Sequence, residues 1–120
     1  MDTNSQAVRT LFNTIAKARV LDVDMTVLTL LVLLAVAEDD GLLVADIIER
    51  TQSNKSSVSR ILAILSDIGR RDKEGLGLVN AVEDRANRRY KRVYLTDKGK
   101  QTINQMRTTM ARGCKKLVEG

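Results

Sequence analysis

Residues 44–69 read VADIIERTQSNKSSVSRILAILSDIG. Val44, Ile47 and Ile48 repeat at helical spacing and predict a short amphipathic helix ending near Thr51. Thr51-Gln52-Ser53 interrupts that pattern. Ser53 or Asn54 then offers an N-cap, because a short polar side chain can accept from a free amide of the first turn. Val58, Ile61, Leu62, Leu65 and Ile68 again recur at helical spacing, as the buried face of a second helix over 54–68 that Gly69 stops. A short helix, a tight turn and a longer capped helix form a helix-turn-helix.

Outward from this core the pattern continues on both sides. Upstream, Val8, Leu11, Phe12 and Ile15 make one stripe of a helix over 5–20. Asp22 and Asp24 mark a turn and the negative start of the next helix, over about 25–38. It is apolar nearly all round and is expected to be the fully packed central element. Its run from Val27 to Ala37 is too short to span a bilayer, and two aspartates precede it where a signal peptide would be positive. Downstream, Arg70 to Gly77 is charged and glycine-containing, an expected exposed loop. Leu42–Val44 is a candidate short strand. Leu78–Glu83 and Lys91–Leu95 read as two strands around a polar tip, Asp84–Tyr90, with Val93 and Leu95 alternating against Arg92 and Tyr94. Thr96 caps a last helix over 97–118, striped by Ile103, Met106, Met110 and Leu117. The expected fold is mainly α with a small β-hairpin, a winged helix-turn-helix, in one domain over 1–120.

The composition narrows the chemistry. There is no histidine, and Cys114 is the single cysteine. Imidazole acid–base catalysis is excluded, an internal disulfide is impossible, and soft metal ligands are too few for a zinc or iron–sulfur site. No glycine-rich phosphate loop follows a strand and no nucleophile–base pair stands out, so an enzyme is not expected, nor a cofactor or metal. The net charge is +5. Between Asp84 and Lys100 seven cations face two carboxylates, an excess equal to that of the whole chain. The positive charge is thus concentrated in one hairpin and one helix start, where a narrow tip can reach phosphates or a minor groove.

With Val58, Ile61, Leu62 and Leu65 inward, Ser56, Arg60 and Ala63 take the opposite side of the second helix. Ser53, Asn54, Lys55, Ser57 and Ser59 lie near its N-terminus. Hydroxyls allow close approach to a duplex, and Arg60 can take guanine O6 and N7 or a phosphate. Two aromatic residues besides Phe12, namely Tyr90 and Tyr94, are too few for stacking on single strands.

The segments VADIIERTQSNKSSVSRILAILSDIG (44–69) and VEDRANRRYKRVYLTDKG (82–99) resemble the MarR family of winged-helix regulators. The likeness rests on the leucine-rich segment ending in glycine, on Asp84, Arg88 and Arg89 in the wing, and on Leu95-Thr96-Asp97-Lys98-Gly99. It implies that Lys55, Ser56, Ser57 and Arg60 enter a major groove and that Arg88 or Arg89, with Arg85 as an alternative, enters the flanking minor groove. Asn87 and Lys91 complete the wing candidates. Asn87 stands where an acidic residue usually orients the wing arginine, 70–77 is an insertion, and the terminal helices are shorter than usual. The family dimerises through such helices. Val8, Leu11, Phe12 and Ile15 could therefore meet Ile103, Met106, Met110 and Leu117 within one chain or across a homodimer. The expected partner is double-stranded DNA in the cytoplasm, with no membrane. The alternative is a protein-interaction module docking on a polymerase or replication complex, with loop 70–77 as a contact.

Overall fold

A computed structural model describes residues 2–70 and 72–119 of the chain; Arg71, within the expected loop, lies outside the described residues. The order is α1 (Thr3–Leu21), α2 (Val27–Glu38), β1 (Leu42–Leu43), α3 (Val44–Thr51), α4 (Lys55–Leu65), β2 (Val79–Glu83), β3 (Lys91–Leu95) and α5 (Asp97–Glu119). The chain divides into two compact units. One is Thr26–Lys100; the other combines α1 and its following turn with α5 from Gln101 onward.

The first unit is a winged helix. Its sheet is antiparallel in the order β1-β3-β2, one strand more than a bare hairpin. Val79 faces Leu95 and Glu83 faces Lys91, while Leu42 faces Val93 across the other edge of β3. The turn before β1 is stitched to β3. The Gly41 amide donates to the Val93 carbonyl at 2.8 Å, and the Leu95 amide donates to Asp40 Oδ1 at 2.8 Å. Gly41 adopts φ +94°, and a Cβ there would press on the Tyr94 ring, so the turn needs glycine. Leu33, Ile47, Leu65, Leu78, Val32, Val36, Val58 and Val93 are fully enclosed. Each contributes about 1.5–3 kcal/mol by leaving water.

Two helix expectations are corrected. α2 starts at Val27, two residues past the expected Met25, and the aspartates lie in the turn before it. Thr26 is its cap, its hydroxyl accepting from the Thr29 amide at 3.1 Å. Asp22 instead accepts from the Asp24 amide at 3.0 Å, in the turn after α1. Nor is α2 packed all round: Val27, Leu31 and Leu34 form an exposed stripe.

α4 ends at Leu65, short of Gly69, because Ser66 turns extended (ψ −167°). The Ser66 hydroxyl donates to the Ala63 carbonyl at 3.0 Å and accepts from the Ile68 amide at 3.2 Å. Ile68 is consequently 76% exposed rather than on the buried face. The chain that follows then folds back on the helix end. The Leu76, Gly77 and Leu78 amides donate to the carbonyls of Ile64, Ser66 and Leu65 at 2.7–2.9 Å. A helix leaves its last carbonyls without partners, and this loop supplies them. Gly75, Leu76 and Gly77 are accordingly half-buried, so only part of 70–77 is the exposed loop expected.

The second unit is a pair of antiparallel helices, since Gly113 of α5 lies against Thr10 of α1 while Met110 Sδ lies 4.0 Å from the Thr14 hydroxyl. Asp2 caps α1, accepting from the Ser5 amide at 2.7 Å; that bond holds its carboxyl below the ordinary aspartate range. The buried face of α1 is Thr10, Thr14 and Ala18. A Cβ on Gly113 would collide with the Thr10 side chain, so the close approach depends on glycine. The expected apolar stripe behaves differently: Val8, Leu11, Phe12 and Ile15 are all exposed. On α5, Ile103 and Met106 are buried, Met110 is exposed and Leu117 is half-buried. The two stripes therefore do not cover each other within one chain.

Candidate nucleic-acid interface

α4 is held by its cap. Asn54 Oδ1 accepts from the Ser57 amide at 2.8 Å, leaving only the Asn54 amide group to donate outward. Ser53 is half-buried, its hydroxyl 2.7 Å from that of Thr51, which ties the turn between α3 and α4. Gln52 makes that turn with φ 51°. Lys55, Ser56, Ser59 and Arg60 are exposed, whereas Ser57 is half-buried. The solvent face of α4 thus has two adjacent rows, Lys55-Ser59-Ala63 and Ser56-Arg60, each stepping one turn.

The hairpin tip is ordered by its own backbone. The Asp84 amide donates to the Tyr90 carbonyl at 2.8 Å and the Tyr90 amide to the Asn87 carbonyl at 3.0 Å. Asn87 Oδ1 accepts from the Arg89 amide at 3.1 Å, so this side chain shapes the turn rather than holding a guanidinium. The wing carboxylate is engaged elsewhere. Asp84 Oδ1 lies 3.4 Å from Arg92 Nε, and Arg92 Nη1 donates to the Gly41 carbonyl at 3.0 Å. Arg92 therefore joins β3 to the turn before β1, while Arg85, Arg88 and Arg89 have no side-chain ion pair among the described residues. Lys98 is also committed, donating to the Leu76 carbonyl at 2.9 Å.

A groove of about 620 Å³ brings the two regions together. It is lined by Lys55, Ser59, Leu62 and Ala63 of α4, by Asn80, Ala81, Arg89, Tyr90 and Lys91 of the hairpin, and between them by Leu43, Val44, Ala45 and Ile48 of β1 and α3. Ser66, Asp67 and Ile68, just past α4, complete the lining. Of the expected site residues, Lys55, Ser59, Arg89 and Lys91 share this groove. Ser56, Arg60, Arg85 and Arg88 are exposed outside it, and Ser53, Asn54, Ser57 and Asn87 serve local turns and caps. Asn80 and Tyr90 are groove residues that the pattern did not single out. For Asn80 the signal is present: Val79 is buried, so the next residue of the strand faces the other way.

Residues 23–69 match the MarR family profile. No curated protein sequence matches the chain. Among solved structures, the PcaV transcriptional regulator from Streptomyces coelicolor in complex with its natural ligand is similar over 80% of this chain, at 25% identity and a TM-score of 0.58. This chain spans 62% of that one. RV1404 from Mycobacterium tuberculosis superimposes with a TM-score of 0.73 at 14% identity, covering 96% of this chain and 73% of its own. Reduced AbfR bound to DNA gives 0.63 at 18% identity, covering 91% and 71%. Among the described residues no helix is long and apolar enough to cross a membrane.

Proposed function

We propose that the chain is a winged helix-turn-helix regulator of the MarR type, which binds double-stranded DNA as a homodimer and regulates transcription by occupying its site. The observation that supports this reading is the shared groove: the Lys55-Ser59-Ala63 row of α4 and the cationic hairpin both line it, with Lys55, Arg89 and Lys91 against the single carboxylate of Asp67. Ser56 and Arg60 read base edges in the major groove, Lys55 and Ser59 take backbone phosphates, and Arg88, Arg85 or Arg89 reaches the flanking minor groove. Catalysis has no part in this mechanism, and the protein acts in the cytoplasm.

The exposed row Val8, Leu11, Phe12 and Ile15 supports the homodimer, because a second copy would take it out of water. A two-fold dimer sets its recognition helices about 34 Å apart and selects a palindrome. Arg88→Glu combined with Arg89→Glu is expected to abolish duplex binding in a mobility-shift titration, while the circular dichroism spectrum is unchanged. Wild-type affinity should fall by about 10³–10⁵ between roughly 50 and 200 mM salt if about 6–10 phosphates are contacted. Unchanged affinity in the double variant refutes the assignment.

One observation favours a second reading. Ile68 is 76% exposed beside the inserted loop, an apolar side chain offered to solvent. A module docking on a polymerase or replication protein would use it, and would keep partner binding in the Arg88→Glu, Arg89→Glu variant.

A further inference from the structure

The helical pair carries a feature that the duplex-binding reading does not use. A second groove, again about 620 Å³, runs between α1 and α5. Arg9, Lys17, Arg112 and Lys116 line it, all exposed, and no carboxylate does. None of these four has an ion pair among the described residues, whereas Arg50 pairs with Asp39 and Arg92 with Asp84 elsewhere in the chain. Four like charges in one groove repel each other, and repulsion of this kind is relieved by an anion.

The helix register arranges the charges. Thr10 meets Gly113, so Arg9 stands at the level of Arg112 and Lys116, at one end of the groove. Lys17 lies two turns on, about 12 Å along α1. The Asn13 amide lies on the wall and can donate to a phosphate oxygen, whereas the Thr10 and Thr109 hydroxyls donate to the Gln6 and Gln105 carbonyls. At about 100° per residue, the centre of this face is well over a quarter-turn from the Val8-Leu11-Phe12-Ile15 row, so pairing of two copies through that row leaves the groove open.

We propose that this groove binds a compact polyphosphate, of the inorganic tripolyphosphate or nucleoside polyphosphate class. Its size falls within that of small-ligand sites. A terminal phosphate carries about −1.5 to −2 and an internal one about −1, so a triphosphate matches the four cations. A duplex is too wide to enter between two helices in contact at Gly113 and Thr10. A single strand would gain nothing from its bases, since no aromatic side chain lines the groove. Recognition therefore falls on the phosphates alone, through arginine forks and lysine point charges.

Isothermal titration of the full chain with inorganic tripolyphosphate, at fixed ionic strength, tests this. The expected result is saturable binding of one ligand per chain, weakened about tenfold or more by Arg9→Gln with Arg112→Gln. Arg107→Gln, exposed on α5 outside the groove, is expected to leave it unchanged. Amide hydrogen exchange on the wild-type chain gives a readout independent of variants: added ligand should protect 6–20 and 109–116. Non-saturable binding, equal loss in Arg107→Gln, or protection centred on 84–92 would overturn the proposal. So would a non-specific duplex that displaces tripolyphosphate through Arg9 and Arg112, since the groove would then belong to nucleic acid. Loss of duplex binding in the wing variant with tripolyphosphate binding intact separates this site from the proposed DNA surface.

Discussion

The winged-helix unit and the helical pair solve the problem of apolar side chains in opposite ways. The former encloses Leu33, Ile47, Leu65 and Leu78 completely, and keeps polar groups on α4 and the hairpin for the outside. The latter buries Thr10, Thr14, Ala18 and Gly113 where its helices meet, encloses only Ile103 and Met106 among its larger side chains, and leaves Phe12 70% exposed. Small residues bring two backbones close but remove little apolar area from water, so the contact contributes correspondingly little. One unit is built as a finished core. The other leaves the Val8, Leu11, Phe12 and Ile15 row in water, which the proposed dimer would cover.

That contrast breaks if core and stripe respond alike to truncation. Leu33→Ala should lower unfolding stability by about 2–5 kcal/mol, because the cavity forms in a fully enclosed site, and the loss should not depend on protein concentration. Leu11→Ala with Phe12→Ala should act on association instead. Sedimentation equilibrium is expected to show dimer dissociation strengthened about tenfold or more, near 1.4 kcal/mol, while a dilute monomer unfolds almost as before. Equal effects on the monomer in both variants would show that the stripe is core after all.

The smallest expected effect sharpens the account of the helical pair at its start. Asp2 is held below the ordinary aspartate range by the Ser5 amide. A lowered folded pKa means that its stabilisation of α1 is complete above the unfolded value and is lost as pH falls through the folded one. The Ser5 amide resonance should therefore move toward its uncapped position at a pH below the ordinary aspartate midpoint, and Asp2→Asn should remove that titration. A titration in the ordinary carboxylate range would contradict the cap.

Much of the winged helix was legible because its signals are local. The α3 boundaries, the β3 alternation, the Thr96 cap and the serine-and-arginine side of α4 follow from spacing and capping chemistry alone. The misreadings came where two regions compete for the same backbone. Ile68 continues the helical period of α4, but Ser66 and the returning loop offer the last carbonyls other partners, so the period outlasts the helix. α2 reads as wholly buried because Val27, Leu31 and Leu34 are as apolar as Leu33; which side is covered is decided by packing, not by composition. The wing arginines were visible as charge, yet the engagement of Asp84 with Arg92 required coordinates. The polyphosphate groove was invisible because its cations are dispersed over two helices far apart in sequence.

The most direct test of the central claim, that the outer side of α4 and the arginine hairpin form one duplex-reading surface, is selection from a random duplex library with sequencing of the bound fraction. The expected outcome is a palindromic motif with half-sites about one helical turn apart, in which Arg60→Ala relaxes one symmetric pair of positions at a cost of about 1–3 kcal/mol. A bound fraction with no enriched sequence, or a motif that Arg60→Ala and the Arg88→Glu, Arg89→Glu variant leave untouched, would contradict it.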